Sequence, residues 1–185
     1  MRLKSKWIEF IYKSATSTRK IRTLLTPVGA IVFGLFLGLF ITAAIFTDYI
    51  FHISWIFPFF WISVIAVILI VSGLFFTSWS VYHFIKVKGT PVPVNPPPIL
   101  VTSGPYGYMR NPMLTGIFLL LFGIGLMIES TSLVILFVPL FILLNVIELK
   151  FIEEPELAMR LGEEYVNYKR VTPMFFPKFK QFFSS

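Results

Sequence analysis

The chain has 185 residues, of which 56% are hydrophobic and 14% are charged, and its formal net charge at pH 7 is +7. A water-soluble domain of this size cannot bury so much apolar surface, so the composition excludes that class and predicts an all-α protein that crosses the membrane several times. The basic residues lie outside the long apolar runs, which argues against nucleic acid as a partner and favours anionic membrane lipids. With no cysteine and two isolated histidines, neither disulfides nor a metal site are expected.

The first 25 residues form a basic segment with an amphipathic pattern. Trp7, Ile8, Ile11, Tyr12 and Ala15 recur at helical spacing, which predicts a helix lying on anionic headgroups. A plain basic flank of the first membrane span explains the same residues equally well. The apolar stretch that follows is longer than the core of a signal peptide and has no cleavage pattern after it, so we interpret it as a retained span.

Four apolar runs predict membrane spans, since about 20 helical residues cross the hydrocarbon core of a bilayer. The predicted spans are Val28 to Thr47, Ile53 to about Trp79, Pro112 to Ile128, and about Leu133 to Leu149. Pro58 is expected in the first turn of the second span or at a kink. Only residues 129–132 separate the last two spans, which predicts an antiparallel helical hairpin. The first two spans occupy a predicted region 26–85, and the hairpin belongs to a region 86–185.

The charged residues predict the orientation of these spans. Lysine and arginine occur before the first span, between the second and third, and after the fourth. The other two connections contain Asp48, His52 and Glu129 but no lysine or arginine. Because short cytoplasmic loops are enriched in basic residues, this alternation predicts a multi-pass protein with both termini in the cytoplasm.

The connection at residues 86–112 has the composition of a shaped loop. Its prolines favour extended, polyproline-like backbone; they are Pro91, Pro93, Pro96, Pro97 and Pro98. Residues 102–107 (TSGPYG) predict a turn, and Asn111 and Pro112 predict the N-cap and first residue of the third span. The unpaired N–H groups of that helix, with Arg110 beside them, suit a carboxylate or phosphate. Alternatively, Arg110 reaches the lipid headgroups.

The tail after the fourth span concentrates acidic residues. Glu148 ends an apolar helix, and Glu153 and Glu154 come just before Pro155, which is predicted to open an amphipathic helix. The two adjacent carboxylates either complement the positive end of that helix or bind hydroxyl or ammonium groups of a cofactor. Tyr168 and its neighbour Tyr165 are expected to pack this helix onto the hairpin.

Two sequence blocks, taken together, resemble the isoprenylcysteine carboxyl methyltransferase and phospholipid N-methyltransferase superfamily. The first block contains Gly89-Thr90-Pro91 and, further on, the sequence LVTSGPYGYMRNPM. The second block is EEPELAMRLGEEYVNYKRVTP, and the predicted hydrophobic hairpin lies between the two blocks. The resemblance covers residues 88–177. The chain departs from the family pattern in two places. Many members have Arg-His-Pro-x-Tyr, where this chain has Asn111 in place of the histidine and Leu114 in place of the tyrosine. Members often have Val-Pro-Arg near the end, where this chain has Met174 in place of the arginine. If that arginine recognises a carboxylate, the acceptor here is of another kind.

The resemblance implies an enzyme that moves the methyl group of S-adenosylmethionine to a lipophilic or membrane-associated acceptor. That acceptor is an isoprenylcysteine-like carboxylate, a lipid amine, or a small thiol or hydroxyl, and the other partners are membrane lipids. The implied cofactor contacts are Gly104, Pro105, Tyr106, Arg110, Asn111, Pro112, Glu153 and Glu154. The catalytic residues implied are Arg110, Asn111, Glu153 and Glu154. Neither a metal nor a nucleic acid is implied.

Alternatives stay open for mechanism and for function. A carboxylate acceptor needs no base; where an amine, alcohol or thiol acceptor requires one, Glu148, Glu153 and Glu154 are the candidates. The acceptor is expected to arrive laterally from the bilayer, between the hairpin and the second span. A second class is an NADPH-dependent membrane sterol or lipid reductase, which shares a similar cytosolic block. A third is a transporter or scaffold, although few polar residues are present to line a path.

Overall fold

The structure is a computed structural model in which the described residues are 2–56, 59–90, 92 and 95–176. Within these ranges the chain is helical and contains no strand. The all-α, polytopic fold class predicted from the sequence is confirmed. The predicted roles of Pro58, Pro91 and Pro93 fall outside the described residues.

The described part of the chain contains seven α-helices, a 3₁₀ turn and two π-helical segments. The helices are α1 (Arg2–Ala15), α2 (Arg19–Ile50), α3 (Phe59–Lys86), α4 (Pro112–Met127), α5 (Val138–Glu148), α6 (Glu154–Leu161) and α7 (Glu163–Val171). The 3₁₀ turn is Gly104–Gly107, and the π segments are Leu133–Phe137 and Leu149–Glu153. The second π segment, Leu149–Glu153, is called the π turn below.

Three helical stretches are long and apolar enough to cross a membrane: Thr23–Ile50, Trp61–Lys86 and Leu133–Leu161. The fourth apolar helix, α4, has 16 residues, which at 1.5 Å per residue is about 24 Å and falls short of a hydrocarbon core about 30 Å thick. The chain enters the bundle with α2 and returns with α3, then repeats this with α4 and the Leu133–Leu161 stretch. The starts of α2 and α4 therefore share one end with the ends of α3 and α6, and we call it the basic end.

Several boundaries differ from the prediction. Helix α2 starts at Arg19 and contains Pro27 in its interior, so the span continues a basic helical extension instead of beginning at Val28. The second span starts at Phe59, because His52 has a φ of 50° and the chain is non-helical from there to Ile56. The last span does not end at Leu149. It continues through the π turn into α6, where Pro155 occupies the first turn, a position that needs no N–H donor.

Helices α3 and α4 are in close backbone contact along their length. A Cβ atom on Gly73 would lie 2.6 Å from the carbonyl oxygen of Gly116, and one on Gly123 would lie 2.9 Å from the carbonyl oxygen of Ala66. Small residues at such positions let two membrane helices approach until their backbones touch. This contact holds the short helix α4 against the longer α3.

Valine at Gly73 is expected to separate these two helices. The overpacking should destabilise the fold by about 3 kcal/mol, measured as a lower thermal unfolding midpoint of the protein in detergent micelles. Gly34→Val is the matched control, because a Cβ at Gly34 meets nothing within 4 Å. Equal midpoints for the two variants would show that the close contact is not required.

At the end of the bundle opposite the basic end, Asp48 ties α2 to the hairpin turn. Its Oδ2 accepts a hydrogen bond from the Ser130 hydroxyl at 2.5 Å, and its Oδ1 accepts one from the backbone N–H of Ser132 at 3.0 Å. These bonds satisfy groups at the start of the last membrane helix that have no helical partner of their own. The turn of the hairpin is thereby fixed to the first span.

Aromatic packing joins α2 to α5 in the middle of the bundle. Phe141 is fully buried, and its ring lies 5.4 Å from that of Phe40 and 5.9 Å from that of Phe118, both edge to face. Helix α1 forms as predicted and packs against α6 and the π turn, while Trp7 and Phe10 on it remain more than half exposed. The basic end is therefore covered by α1, the loop before α4, α6 and α7.

Candidate functional site

The loop before α4 and the tail after α6 meet at the basic end, where Arg110 links them. Its Nη2 contacts Glu154 Oε1 at 2.5 Å, and its Nη1 donates to the carbonyl oxygens of Lys169 at 3.0 Å and Thr172 at 2.6 Å. The side chain is 11% exposed, and its Nε is buried without a hydrogen-bond partner. Two segments that lie 44 to 62 residues apart in the chain are thus held together by one guanidinium group.

Glu154 is fully engaged by cations, which separates it from its neighbour Glu153. Its Oε2 contacts Nζ of Lys169 at 2.6 Å while its Oε1 contacts Arg110. The Glu154 side chain is 6% exposed, so its charge is compensated and shielded from solvent. Glu153 has no hydrogen-bond or ion-pair partner among the described residues.

The tail also binds the loop through its backbone. The N–H of Arg110 donates to Pro173 O at 2.9 Å, and the N–H of Asn111 donates to Met174 O at 3.1 Å. Asn111 is the N-cap residue of α4, as predicted, but its side chain makes no capping bond and points its Nδ2 toward Met174 O at 3.4 Å. Because these bonds use the carbonyl of residue 174, the docking of the tail does not depend on an arginine at that position.

Tyr106 forms the inner wall of the site. Its ring stacks on Phe84 with centroids 4.8 Å apart, and its carbonyl oxygen accepts the Tyr168 hydroxyl at 2.7 Å. Tyr168 therefore ties α7 to the loop before α4, whereas the sequence predicted that it packs the tail helix onto the hairpin. Burial raises the pKa of Tyr106 and Tyr168 above the ordinary value of the phenol. The Tyr106 hydroxyl is buried near Ser80 without a partner of good hydrogen-bond geometry.

Gly104, Pro105 and Pro112 shape the loop and line neither of the two cavities described next. Gly104 has a φ of 59°, and a Cβ there would collide with the ring of His83, whose Nδ1 lies 3.1 Å from the Ser103 hydroxyl. Pro105 and Pro112 are fully buried. The structure therefore places these three residues behind the site, where they fix the backbone that carries Tyr106 and Arg110.

Two adjoining cavities open at the basic end. The loop cavity, between the loop and α6, has a volume of about 100 Å³ and is lined by polar groups that include Glu154 and Arg160. The inner cavity has a volume of about 690 Å³, which lies within the range of about 300–1,000 Å³ common for small-molecule sites. Both cavities share the same six wall residues: Phe84, Val92, Tyr106, Arg110, Asn111 and Glu153. They therefore form one continuous site.

The inner cavity extends toward the membrane along α2, α4 and α5. Its apolar walls include Ala30 and Phe33 of α2, Met113 and Leu114 of α4, and Leu144 of α5. Phe84 is the single wall residue that α3 contributes. The expected lateral route between the hairpin and the second span is thus closed by the α3–α4 contact, and the apolar walls lead instead between α2 and α5.

Sequence reasoning missed Asn145 as a site residue. Its side chain lines the inner cavity together with Glu148, three residues later on the same helix face. The Asn145 Nδ2 donates to Phe141 O at 2.8 Å, which leaves its Oδ1 as an acceptor. A polar residue within an otherwise apolar span is the signal that could have identified it.

The site presents an unpaired acidic side chain and an unpaired cationic donor in the same cavity wall. Glu153 offers free carboxylate oxygens, and Arg110 offers its Nε, which is buried without a partner. Apolar and aromatic side chains form most of the remaining wall. Such a site complements a ligand that carries both charges on an apolar framework. No group of three acidic or histidine side chains positioned for a metal ion occurs within the described ranges.

These features define a small helical membrane protein with a continuous cavity at one end of its bundle. The phospholipid methyltransferase family matches residues 61–164, from the start of α3 into α7, and the chain belongs to this family. Over 83 residues the chain is 35% identical to the nickel-cobalt-cadmium resistance protein NccN of Alcaligenes xylosoxydans xylosoxydans. That similarity covers 45% of this chain and 38% of NccN, so the chain spans well under two thirds of that relative.

Proposed function

We propose that this protein uses S-adenosylmethionine to methylate a lipophilic acceptor within the membrane. The observation that carries the proposal is the joining of the loop and tail by Arg110 and Glu154 around a continuous cavity in which Glu153 is left free. Membership of the phospholipid methyltransferase family supports the reaction class. The apolar walls that continue between α2 and α5 support an acceptor delivered from the bilayer.

The residues of the site fit the chemistry of this cofactor. Glu153 is suited to accept hydrogen bonds from ribose hydroxyls or the ammonium group, and the buried Nε of Arg110, beside the first turn of α4, is suited to its carboxylate. When bound, the cofactor supplies an electrophilic methyl group on a positively charged sulfur. Tyr106 and Phe84 provide a flat apolar wall that would help to exclude water from a bound cofactor.

Catalysis by this protein then consists mainly of alignment. Direct displacement at a methyl carbon requires the acceptor atom, the carbon and the sulfur to lie in line, and fixing that geometry lowers the barrier substantially. Arg110 and the backbone bonds of residues 173 and 174 hold the loop and tail in a fixed relation. The basic residues at this end of the bundle support a cytoplasmic location for the site and for both termini.

A binding titration tests the proposal. The full-length protein in phosphatidylcholine nanodiscs is expected to bind S-adenosylhomocysteine and to show no saturable binding of NADPH. Glu153→Gln should weaken S-adenosylhomocysteine binding by about tenfold, since an N–H donor replaces one of the two acceptor oxygens. Glu164→Gln, on the exposed face of α7, is the matched control and should bind like the wild type. Undiminished affinity in Glu153→Gln, or binding of NADPH instead, would reject the proposed site.

A further inference from the structure

A buried ion pair on α6 has no role in the cofactor site as proposed. Nε of Arg160 contacts Glu156 Oε1 at 2.8 Å, and the two side chains are 10% and 3% exposed. Burying an ion pair costs desolvation energy, and apolar residues of similar volume often stabilise a protein equally well. The stability of α6 alone therefore does not account for the pair, and the second contact of Arg160 indicates what it does.

Arg160 donates a hydrogen bond to a stretch of chain that has few backbone donors of its own. Its Nη1 donates to the carbonyl oxygen of Pro97 at 3.0 Å. Residues 96–98 are all proline, so they offer carbonyl acceptors and no N–H group. Glu156 lies one helical turn before Arg160 and orients its guanidinium group. The ion pair thus supplies a fixed donor to a stretch that needs one from outside.

The stretch that carries Pro97 closes on itself, and we call its described residues the proline segment: 89, 90, 92 and 95–97. A Cβ atom on Gly89 would lie 2.5 Å from Cα of Pro97, so the two ends are in backbone contact. The N–H and hydroxyl groups of Thr90 donate to the carbonyl oxygen of Asn95 at 3.0 and 2.9 Å. The Asn95 side chain donates to the Thr26 hydroxyl of α2 at 2.9 Å. The segment is therefore fastened to α2 by Asn95 and to α6 by Arg160.

The proline segment and α6 are two parts of the wall of the loop cavity. The segment contributes Thr90, Val92, Pro96 and Pro97, and α6 contributes Glu154, Leu157, Arg160 and Leu161. The apolar walls of the inner cavity lead toward the bilayer, which leaves the loop cavity as the route for a charged, water-soluble ligand. Its volume of about 100 Å³ is below the 300 Å³ or more common for small-molecule sites. The two parts of the wall therefore have to separate for such a ligand to pass.

We propose, on the basis of the proposed function, that Arg160 is a positioning residue that fastens the proline segment over the bound cofactor. Its bond to the carbonyl oxygen of Pro97 opens to admit the cofactor and forms again once the cofactor is bound. Asn95 holds the other side of the segment on α2. The strength of these two contacts therefore sets the rate at which the cofactor leaves, and keeps it shielded from water while the acceptor arrives from the bilayer.

The test measures how fast labelled S-adenosylhomocysteine leaves the full protein in phosphatidylcholine nanodiscs when excess unlabelled ligand is added. Arg160→Met combined with Glu156→Leu removes both charges, so no uncompensated charge stays buried. Loss of the charged donor should speed release by about tenfold without slowing association, and Asn95→Ala, which leaves α6 unchanged, should speed it by about threefold. Asn167→Ala is the matched control, because Asn167 is exposed on α7 and lines neither cavity. It should release the ligand at the wild-type rate.

A purely structural role of the ion pair has a different signature. Misfolding lowers the fraction of protein that binds, whereas the sites that survive release the ligand at the wild-type rate. Wild-type release from the double variant therefore overturns the proposal and leaves the proposed function standing, since the ligand still binds. If the double variant does not bind at all, Asn95→Ala decides, and its release at the wild-type rate overturns the proposal. If S-adenosylhomocysteine does not bind the wild type, both proposals fail.

Discussion

Tryptophan at Ala30 is expected to abolish methyl transfer to lipophilic acceptors. Ala30 of α2 lies in the wall of the inner cavity, to which α5 contributes Leu144. An indole ring at this position would fill the apolar part of the cavity between the two helices. Because displacement of an acceptor by about 1 Å can lower the rate about a hundredfold, we expect a loss of at least that size. The rate is measured as labelled methyl incorporated into octylamine, octanol and octanoate in nanodiscs.

The same variant should retain the proposed cofactor contacts, because the loop cavity, whose wall includes Arg110, Glu153 and Glu154, is not lined by Ala30. Its affinity for S-adenosylhomocysteine is therefore expected to stay within about twofold of the wild type. Gly38→Trp is the control for added bulk on α2, since a Cβ at Gly38 meets nothing within 4 Å. Full transfer by Ala30→Trp, or an equal loss in Gly38→Trp, would argue against a passage for the acceptor between α2 and α5.

The sequence predicted the positions of the helices better than it predicted which helices contact one another. Apolar runs of about 20 residues identify spans because the bilayer imposes that length. They do not tell which spans are in contact. The close packing of α3 on α4 depends on Gly73 and Gly116 meeting across two helices, and no periodicity in either segment reveals that pairing. For this reason the sequence predicted a route for the acceptor between the hairpin and the second span, α3, whereas the inner cavity lies along the first span, α2.

The site was predicted in outline because its polar residues stand out against an apolar background. The motif comparison grouped Arg110 with Glu153 and Glu154, and the structure brings all three to one site. However, the comparison gave Glu153 and Glu154 the same role, and the fourth span was predicted to end near Leu149. The π turn inserts an extra residue into the helical repeat, so Glu154 pairs with Arg110 while Glu153 shares a face with Glu148. A local hydrogen-bond pattern of this kind is not encoded in residue spacing.

Replacing Arg110 with methionine should produce the second large effect, a loss of both stability and ligand binding. The substitution removes the guanidinium group that compensates the buried Glu154 and binds the carbonyl oxygens of Lys169 and Thr172. Removing one partner of a buried ion pair destabilises by about 3–5 kcal/mol, and the remaining Lys169 contact places the expected value near the lower figure. Lys169→Met should have an effect of about 1 kcal/mol or less, because that side chain is 47% exposed.

A double variant separates the structural role of Arg110 from a role in binding. Arg110→Met combined with Glu154→Leu removes both charges and replaces them with apolar groups, which should recover part of the lost stability. If Arg110 also holds the cofactor carboxylate through its Nε, S-adenosylhomocysteine binding should remain at least about tenfold weaker in the double variant although the fold is restored. Recovery of binding together with stability would mean that Arg110 acts only by joining the loop to the tail. The comparison therefore measures whether the guanidinium group contacts the ligand or only maintains the cavity that receives it.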